Sequence, residues 1–256
     1  MKIEDVLAPL HEIGREVQRL TGDGRLELQV SPPRAHMLSK YARCPGMFHG
    51  IIVLLEAKHP NQAMVLGRPL FEESCHLRQL EQTREDADAL ILTWYEDSLR
   101  RQGELLHDAA SVGLESDLDP ALALVQKDQE KLDGYRARHN VRRRPRFDIK
   151  NRALADGREE AWWAYKLSHQ FVHGNESQHR YMRRRTEEGV MEIRTTSDDL
   201  SWIAMVGAFG ADSFLHAYRA AAGLFGWATP AILDELEQET EDLVVRTSAL
   251  PEGGAE

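Results

Sequence analysis

Two histidines lie one helical turn apart in the stretch 165–175, which reads YKLSHQFVHGN. Residues i and i+4 share one face of a helix, so His169 and His173 could act on the same substrate, phosphate or ion. Imidazole is the only side chain whose unperturbed charge change falls near neutral pH. The Gly-Asn pair after His173 is typical of a helix end. The spacing therefore predicts an acid–base or ligand pair close to the end of a helix.

A second polar pair, Arg68 and Glu72, has the same spacing on an earlier predicted helix. A guanidinium grips phosphate through two parallel hydrogen bonds, which the ammonium group of Lys166 cannot do. If the two helices meet, Arg68 or Lys166 would clamp a phosphate. Glu72 would then hold a histidine tautomer or simply pair with Arg68.

Basic clusters flank the histidine helix in a chain whose net charge is −10. Residues 136–152 hold seven arginines and Lys150 against Asp148, and residues 180–185 hold four arginines. Such clusters can bind nucleic acid even in an acidic protein, or they can face solvent or a protein partner. The candidate RNA-contacting residues are Arg142, Arg143, Arg144, Arg146, Arg183, Arg184 and Arg185.

Composition favours a folded cytoplasmic protein of 256 residues, 42% of them hydrophobic. No apolar run approaches the roughly 20 residues that a membrane crossing needs, and the start lacks the apolar core of a secretory signal. Cys44 and Cys75 are too few for a disulfide framework. Gly207-Ala208-Phe209-Gly210 is no phosphate loop, because no strand precedes it and no Lys-Ser/Thr follows. No cofactor is expected.

Apolar residues recur with helical period along the chain, so we expect an all-α bundle with an irregular arginine-rich insertion. Asn61 should cap one helix, and the arginine-rich stretch to Arg152 should be a loop or a frayed helix end. A short β-hairpin is expected within residues 180–197. Residues 1–33 would form an N-terminal helix and connection, 34–247 a single helical domain, and 248–256 a loose tail. The predicted helices cover about 3–20, 34–59 with a break at Cys44-Pro45-Gly46, 61–82, 84–111, 119–139, 156–173, 198–225 and 230–247.

This order of motifs resembles a family of uncharacterised prokaryotic helical proteins. Its marks are Arg-x-x-x-Glu, then an aromatic-rich helix, then Tyr-x-x-Ser-x-x-x-x-His-Gly. Here they are Arg68 to Glu72, Trp94-Tyr95, and Tyr165 to Gly174, and the resemblance covers roughly residues 35–225.

That family is similar in turn to the HEPN superfamily, many of whose members are metal-independent RNases of toxin–antitoxin and phage-defence systems. The resemblance implies a homodimer and an arginine that is separated from the site histidine by four to six intervening residues. This chain departs from the pattern, because Lys166, Leu167 and Ser168 occupy the positions where His173 would require that arginine.

The site has three possible interpretations. In the first, His173 and His169 transfer protons during RNA cleavage while Arg68 or Lys166 steadies the phosphate. In the second, His169 and His173 bind a metal ion, with help from Glu-x-x-His pairs at Glu56/His59 and Glu73/His76. In the third, the same residues cap and join helices in a non-catalytic interaction or scaffold module. Catalysis by Ser168 with His169 is disfavoured, because adjacent residues point about 100° apart on a helix.

Overall fold

A computed structural model of the chain describes residues 1–22, 32–83, 87–111, 118–141, 148–172, 183–185, 191–193 and 196–249. The all-α class predicted from the sequence is confirmed. Within these ranges no helix combines the length and apolar character that a membrane crossing requires. The helices are α1 Ile3–Thr21, α2 Pro32–Tyr41, α3 Cys44–Glu56, α4 Pro60–Gln82, α5 Ala87–Ser111, α6 Leu118–His139, α7 Ile149–Ala155, α8 Glu159–Val172, α9 Leu200–Phe225 and α10 Ile232–Ser248.

Two three-residue strands lie within the stretch where a hairpin is expected. Strand β1 (Arg183–Arg185) pairs antiparallel with β2 (Met191–Ile193), and Arg184 stands opposite Glu192. The pairing places three consecutive arginines on one short ribbon.

The core of the first compact unit forms around α9, which packs against α1, α3, α8 and α10. Small residues let these helices approach closely. A Cβ atom on Gly207 would lie 2.9 Å from Leu10, and one on Gly67 would lie 2.8 Å from Phe209. Gly207 therefore permits close packing of α9 against α1. This unit also contains α4, α7 and the strands.

The second compact unit contains α5 and α6, which pack against each other. Leu99 and Leu132 are buried there. Arg136 on α6 is also buried, and its Nη2 atom donates a hydrogen bond to Glu96 Oε2 at 3.1 Å. An ion pair therefore joins the two helices of this unit.

The prediction that Asn61 caps α4 is wrong. The helix begins one residue earlier, at Pro60, where a missing N–H costs nothing because first-turn donors lack intrahelical partners. Asn61 instead accepts a hydrogen bond from Trp202 Nε1 at 2.9 Å, so it links α4 to α9.

The prediction of a loop or a frayed helix end up to Arg152 is wrong over α7. Asp148 starts this helix, because its Oδ1 atom accepts a hydrogen bond from the backbone N–H of Asn151 at 3.2 Å. Gly157 then adopts a left-handed backbone with φ of 70°. This turn explains why α8 begins at Glu159 rather than near Asp156.

Candidate functional site

Helix α4 carries a stripe of partly exposed polar residues, namely Arg68, Glu72 and His76. Their side chains are 21%, 33% and 21% exposed. Four residues turn a helix by about 40° beyond one full turn, so the three side chains form a slightly slanted row. Buried residues such as Phe71 and Ser74 lie beside them. The stripe is therefore the polar edge of a helix that otherwise packs in the core.

Tyr165 on α8 joins two members of this stripe. Its hydroxyl donates a hydrogen bond to Glu72 Oε1 at 2.8 Å and accepts one from Arg68 Nη2 at 3.3 Å. Arg68 Nε also donates to Glu72 Oε1, at 3.2 Å. Burial, together with the bond to Glu72, raises the pKa of Tyr165 to about 12. The phenol therefore stays protonated and remains a donor at neutral pH.

Aromatic contacts hold the Tyr165 ring in place. Trp162 stacks on it with centroids 5.2 Å apart, and Phe71 lies 5.1 Å away. The Arg68 guanidinium carbon lies 5.0 Å from the ring centroid, a cation–π distance. The ring of His169 meets the tyrosine edge-on at 5.8 Å. One aromatic side chain thus contacts both a guanidinium and an imidazole.

We call Arg68, Glu72, Tyr165 and His169 the α4–α8 site. The structure thus brings together three of the predicted catalytic residues, namely Arg68, Glu72 and His169. Lys166 lies exposed on α8. His173 and residues 142–147, which include Arg142, Arg143, Arg144 and Arg146, lie outside the described residues. Arg183, Arg184 and Arg185 form β1.

Ser168 has a structural role. It is fully buried, and its hydroxyl donates a hydrogen bond to the backbone carbonyl of Tyr165 at 2.6 Å. The Ser168 hydroxyl is therefore not accessible to act as a nucleophile.

Beside the stripe lies a buried carboxylate, Glu73, whose ion pairs were not predicted from the sequence. Glu73 accepts hydrogen bonds from Lys40 Nζ at 2.7 Å and Arg43 Nη1 at 2.9 Å, and His76 Nδ1 lies 3.7 Å from it. Burial acts to raise the pKa of Glu73, but His76 and Lys40 outweigh it and lower that pKa to about 2. Glu73 is therefore an anion within a cationic surround.

A second missed cluster fixes the start of α8. Arg158 is buried, and its Nε and Nη2 atoms both donate to the carboxylate of Asp212 on α9, the former at 3.3 Å. Its Nη1 atom donates to Ser74 Oγ on α4 at 3.0 Å, and its guanidinium lies 4.8 Å from the Phe71 ring. No local sequence signal marks this cluster, because its members come from three distant segments.

The described ranges contain no set of ligands that would support the metal interpretation. No group of three or more His, Cys, Asp or Glu side chains is arranged there to hold an ion. The carboxylates of both Glu-x-x-His pairs have other partners. Glu56 lies 3.0 Å from His11, and Glu73 binds Lys40.

Comparison with known proteins places the α4–α8 site inside a shared domain. No curated protein and no solved structure matches the chain. Residues 35–190 match DUF5677, a family of unknown function. The match covers more than half of the chain and contains Arg68, Glu72, Tyr165 and His169. By that match, the chain belongs to the DUF5677 family.

Proposed function

We propose that this protein cleaves RNA without a metal ion, using the α4–α8 site. The observation that supports this proposal is the Tyr165 ring, which contacts both the Arg68 guanidinium and the His169 imidazole. A cation suited to phosphate and a group suited to proton transfer therefore lie within reach of one substrate. The resemblance to HEPN proteins adds a toxin–antitoxin or phage-defence setting and a homodimer to the proposal.

The chemistry assigns a task to each residue type. Cleavage at a 2′-hydroxyl requires a base for that hydroxyl, a cation for the charge that grows on the phosphorus centre, and an acid for the leaving oxygen. Arg68 supplies the cation, and the phenol of Tyr165 supplies a neutral donor. His169 and His173 exchange protons with the substrate. The arginine clusters attract the RNA backbone, so binding should weaken as salt rises.

A second candidate, a non-catalytic interaction module, is favoured by the pairing within the site. Arg68, Glu72 and Tyr165 bond to one another, and Glu72 already neutralises the charge of Arg68. A joint between two helices needs no more than this. Under this alternative the exposed residues of α8, such as Trp163 and Lys166, would contact a protein partner.

RNA cleavage in EDTA tests the proposal. A mixed pool of tRNA and single-stranded RNA is incubated with wild type, His169→Ala and His173→Ala. We expect wild type to leave 2′,3′-cyclic phosphate ends, and we expect loss of a histidine to slow cleavage by about 10²–10⁴-fold, the usual contribution of a general acid or base. His107→Ala, which changes an exposed histidine on α5, is the matched control and should cleave normally.

The interaction module predicts a different outcome. Wild type would then cleave nothing at any salt concentration or pH. The histidine substitutions would change only the melting temperature or the capture of a protein partner.

A further inference from the structure

His76 is the third member of the polar stripe on α4, and sequence spacing marked it only as half of a weak metal pair. Helical side chains lean toward the N-terminus of their helix and cover the preceding turn. The imidazole of His76 therefore extends over the turn that carries Glu72 and Glu73. Glu72 belongs to the α4–α8 site, so His76 borders that site along the helix.

The environment of His76 favours a proton on one of its two ring nitrogens. Its Nδ1 atom faces Glu73 Oε2 at 3.7 Å. Lys40 and Arg43 hold that carboxylate in place through their hydrogen bonds. A carboxylate beside Nδ1 favours the tautomer that carries its proton there, which makes Nε2, on the opposite edge of the ring, the proton acceptor.

Charges from two segments act on the imidazole. Burial lowers the pKa of His76 below its ordinary value of 6.5, and Lys40 lowers that pKa as well. Glu73 and Glu72, on its own helix, act in the opposite direction but do not outweigh burial. At neutral pH the ring is therefore predominantly neutral, the form that can accept a proton.

We propose that His76 is the general base of the α4–α8 site, held by Glu73, and that the substrate class is RNA with a free 2′-hydroxyl. This inference rests on the proposed function. His76 Nε2, in place of His173, takes the 2′-hydroxyl proton as the O2′–P bond forms and the P–O5′ bond breaks. His169 gives a proton to the departing O5′. The products are a 2′,3′-cyclic phosphate and a 5′-hydroxyl, and a proton returning from His76 to His169 through water resets the site.

The test compares cleavage by wild type, His76→Gln and Glu73→Gln in EDTA across a range of pH, with His49→Gln as the control. His49 is an exposed histidine on α3 and lies outside the site. We expect His76→Gln to lower the cleavage rate by about 10²–10⁴-fold while keeping the wild-type melting temperature. Because Glu73 raises the pKa of His76, Glu73→Gln should move the acidic limb of the kcat/KM profile to lower pH.

The outcomes separate this inference from the function on which it rests. Cleavage by His76→Gln at the wild-type rate overturns the role of His76 and leaves the proposed function standing. Absence of cleavage by wild type overturns both. If His76→Gln fails to fold, NMR of ¹⁵N-histidine-labelled wild type decides: a His76 ring that is unprotonated at Nε2 at pH 7 supports the assignment, and a ring that is protonated there overturns it.

Discussion

At the scale of single residues, Tyr165 makes the contacts that connect the other members of the α4–α8 site. Its hydroxyl connects the two ends of the Arg68–Glu72 pair, and its ring carries the contact to His169. A substitution can remove the hydroxyl and keep the ring. Loss of the hydroxyl leaves the aromatic packing intact and tests the hydrogen bonds alone.

We predict that Tyr165→Phe lowers the free energy of unfolding by about 1–2 kcal/mol, the usual effect of leaving a part-buried polar group without its partner. Arg68 and Glu72 remain paired with each other, which limits the loss. Urea denaturation measures the effect. Tyr135→Phe on α6 is the control, since that tyrosine lies outside the α4–α8 site. Equal loss in the two variants would mean that the Tyr165 hydroxyl adds no stability of its own.

At the scale of elements, local patterns in the sequence predict most of the described helices. They do not predict ion pairs between residues that are far apart in the sequence. The apolar stripe of α1 identifies that helix correctly, whereas the break predicted at Cys44-Pro45-Gly46 lies at residues 42–43, just before α3. The i, i+4 spacing of Arg68 and Glu72 likewise identifies one pair of the site. Sequence spacing cannot show that Lys40 binds Glu73 or that Arg158 binds Asp212, because these contacts depend on how helices pack.

The Arg158–Asp212 pair should stabilise the entry into α8. We predict that Arg158→Met costs about 3 kcal/mol of unfolding free energy, the low end for a broken buried pair, because Asp212 keeps 31% of its side chain exposed and water can solvate it. Arg219→Met is the control. Arg219 pairs with the exposed Asp234 and the partly exposed Glu237, both within reach of water, so its loss should cost only about 1 kcal/mol.

Thermal and urea melts of both arginine variants check this expectation. A double variant, Arg158→Met with Asp212→Leu, should recover part of the loss because it leaves no charge without a partner. If Arg158→Met and Arg219→Met lose the same stability, the buried pair has no special role in holding α8.

At the scale of the whole molecule, two carboxylate–histidine pairs, each with a buried carboxylate and a partly buried imidazole, should dominate the response to acid. Glu73 faces His76 at 3.7 Å, and Asp156 faces His216 at 3.6 Å. Burial acts to raise the pKa of Asp156, but His216 and Arg152 outweigh it and lower that pKa to about 2. Burial lowers the pKa of His216 below its ordinary value of 6.5.

The lowered pKa values of the histidines and of the carboxyl groups both make the protein less stable as the pH falls. A histidine whose pKa is lowered in the folded state binds its proton more readily when unfolded, so stability falls as pH drops below 6.5. A carboxyl group whose pKa is lowered contributes stability above its unfolded value, and that contribution is lost as pH falls from 4.5 toward about 2 for Glu73. We predict one continuous decline in unfolding free energy from pH 6.5 downward, measurable by urea denaturation at each pH.

A variant that combines His76→Gln with His216→Gln should flatten the first part of that decline, between pH 6.5 and 4.5, and leave the acidic part in place. Net repulsion between like charges cannot cause the decline between pH 6.5 and the isoelectric point of about 5.6, because the net charge shrinks toward zero over that interval. Stability that stays constant from pH 7 to pH 4 would contradict the prediction.

The left-handed turn at Gly157 has a consequence for how the gene can change. Asp156, before the glycine, pairs with Arg152, and Arg158, after it, pairs with Asp212, so both ends of this turn are anchored. A one-codon insertion at residues 156–158 would strain one of these pairs or shift the start of α8, although it would alter no residue of the α4–α8 site. Changes of length in this short turn should therefore weaken the contact between Tyr165 and Arg68.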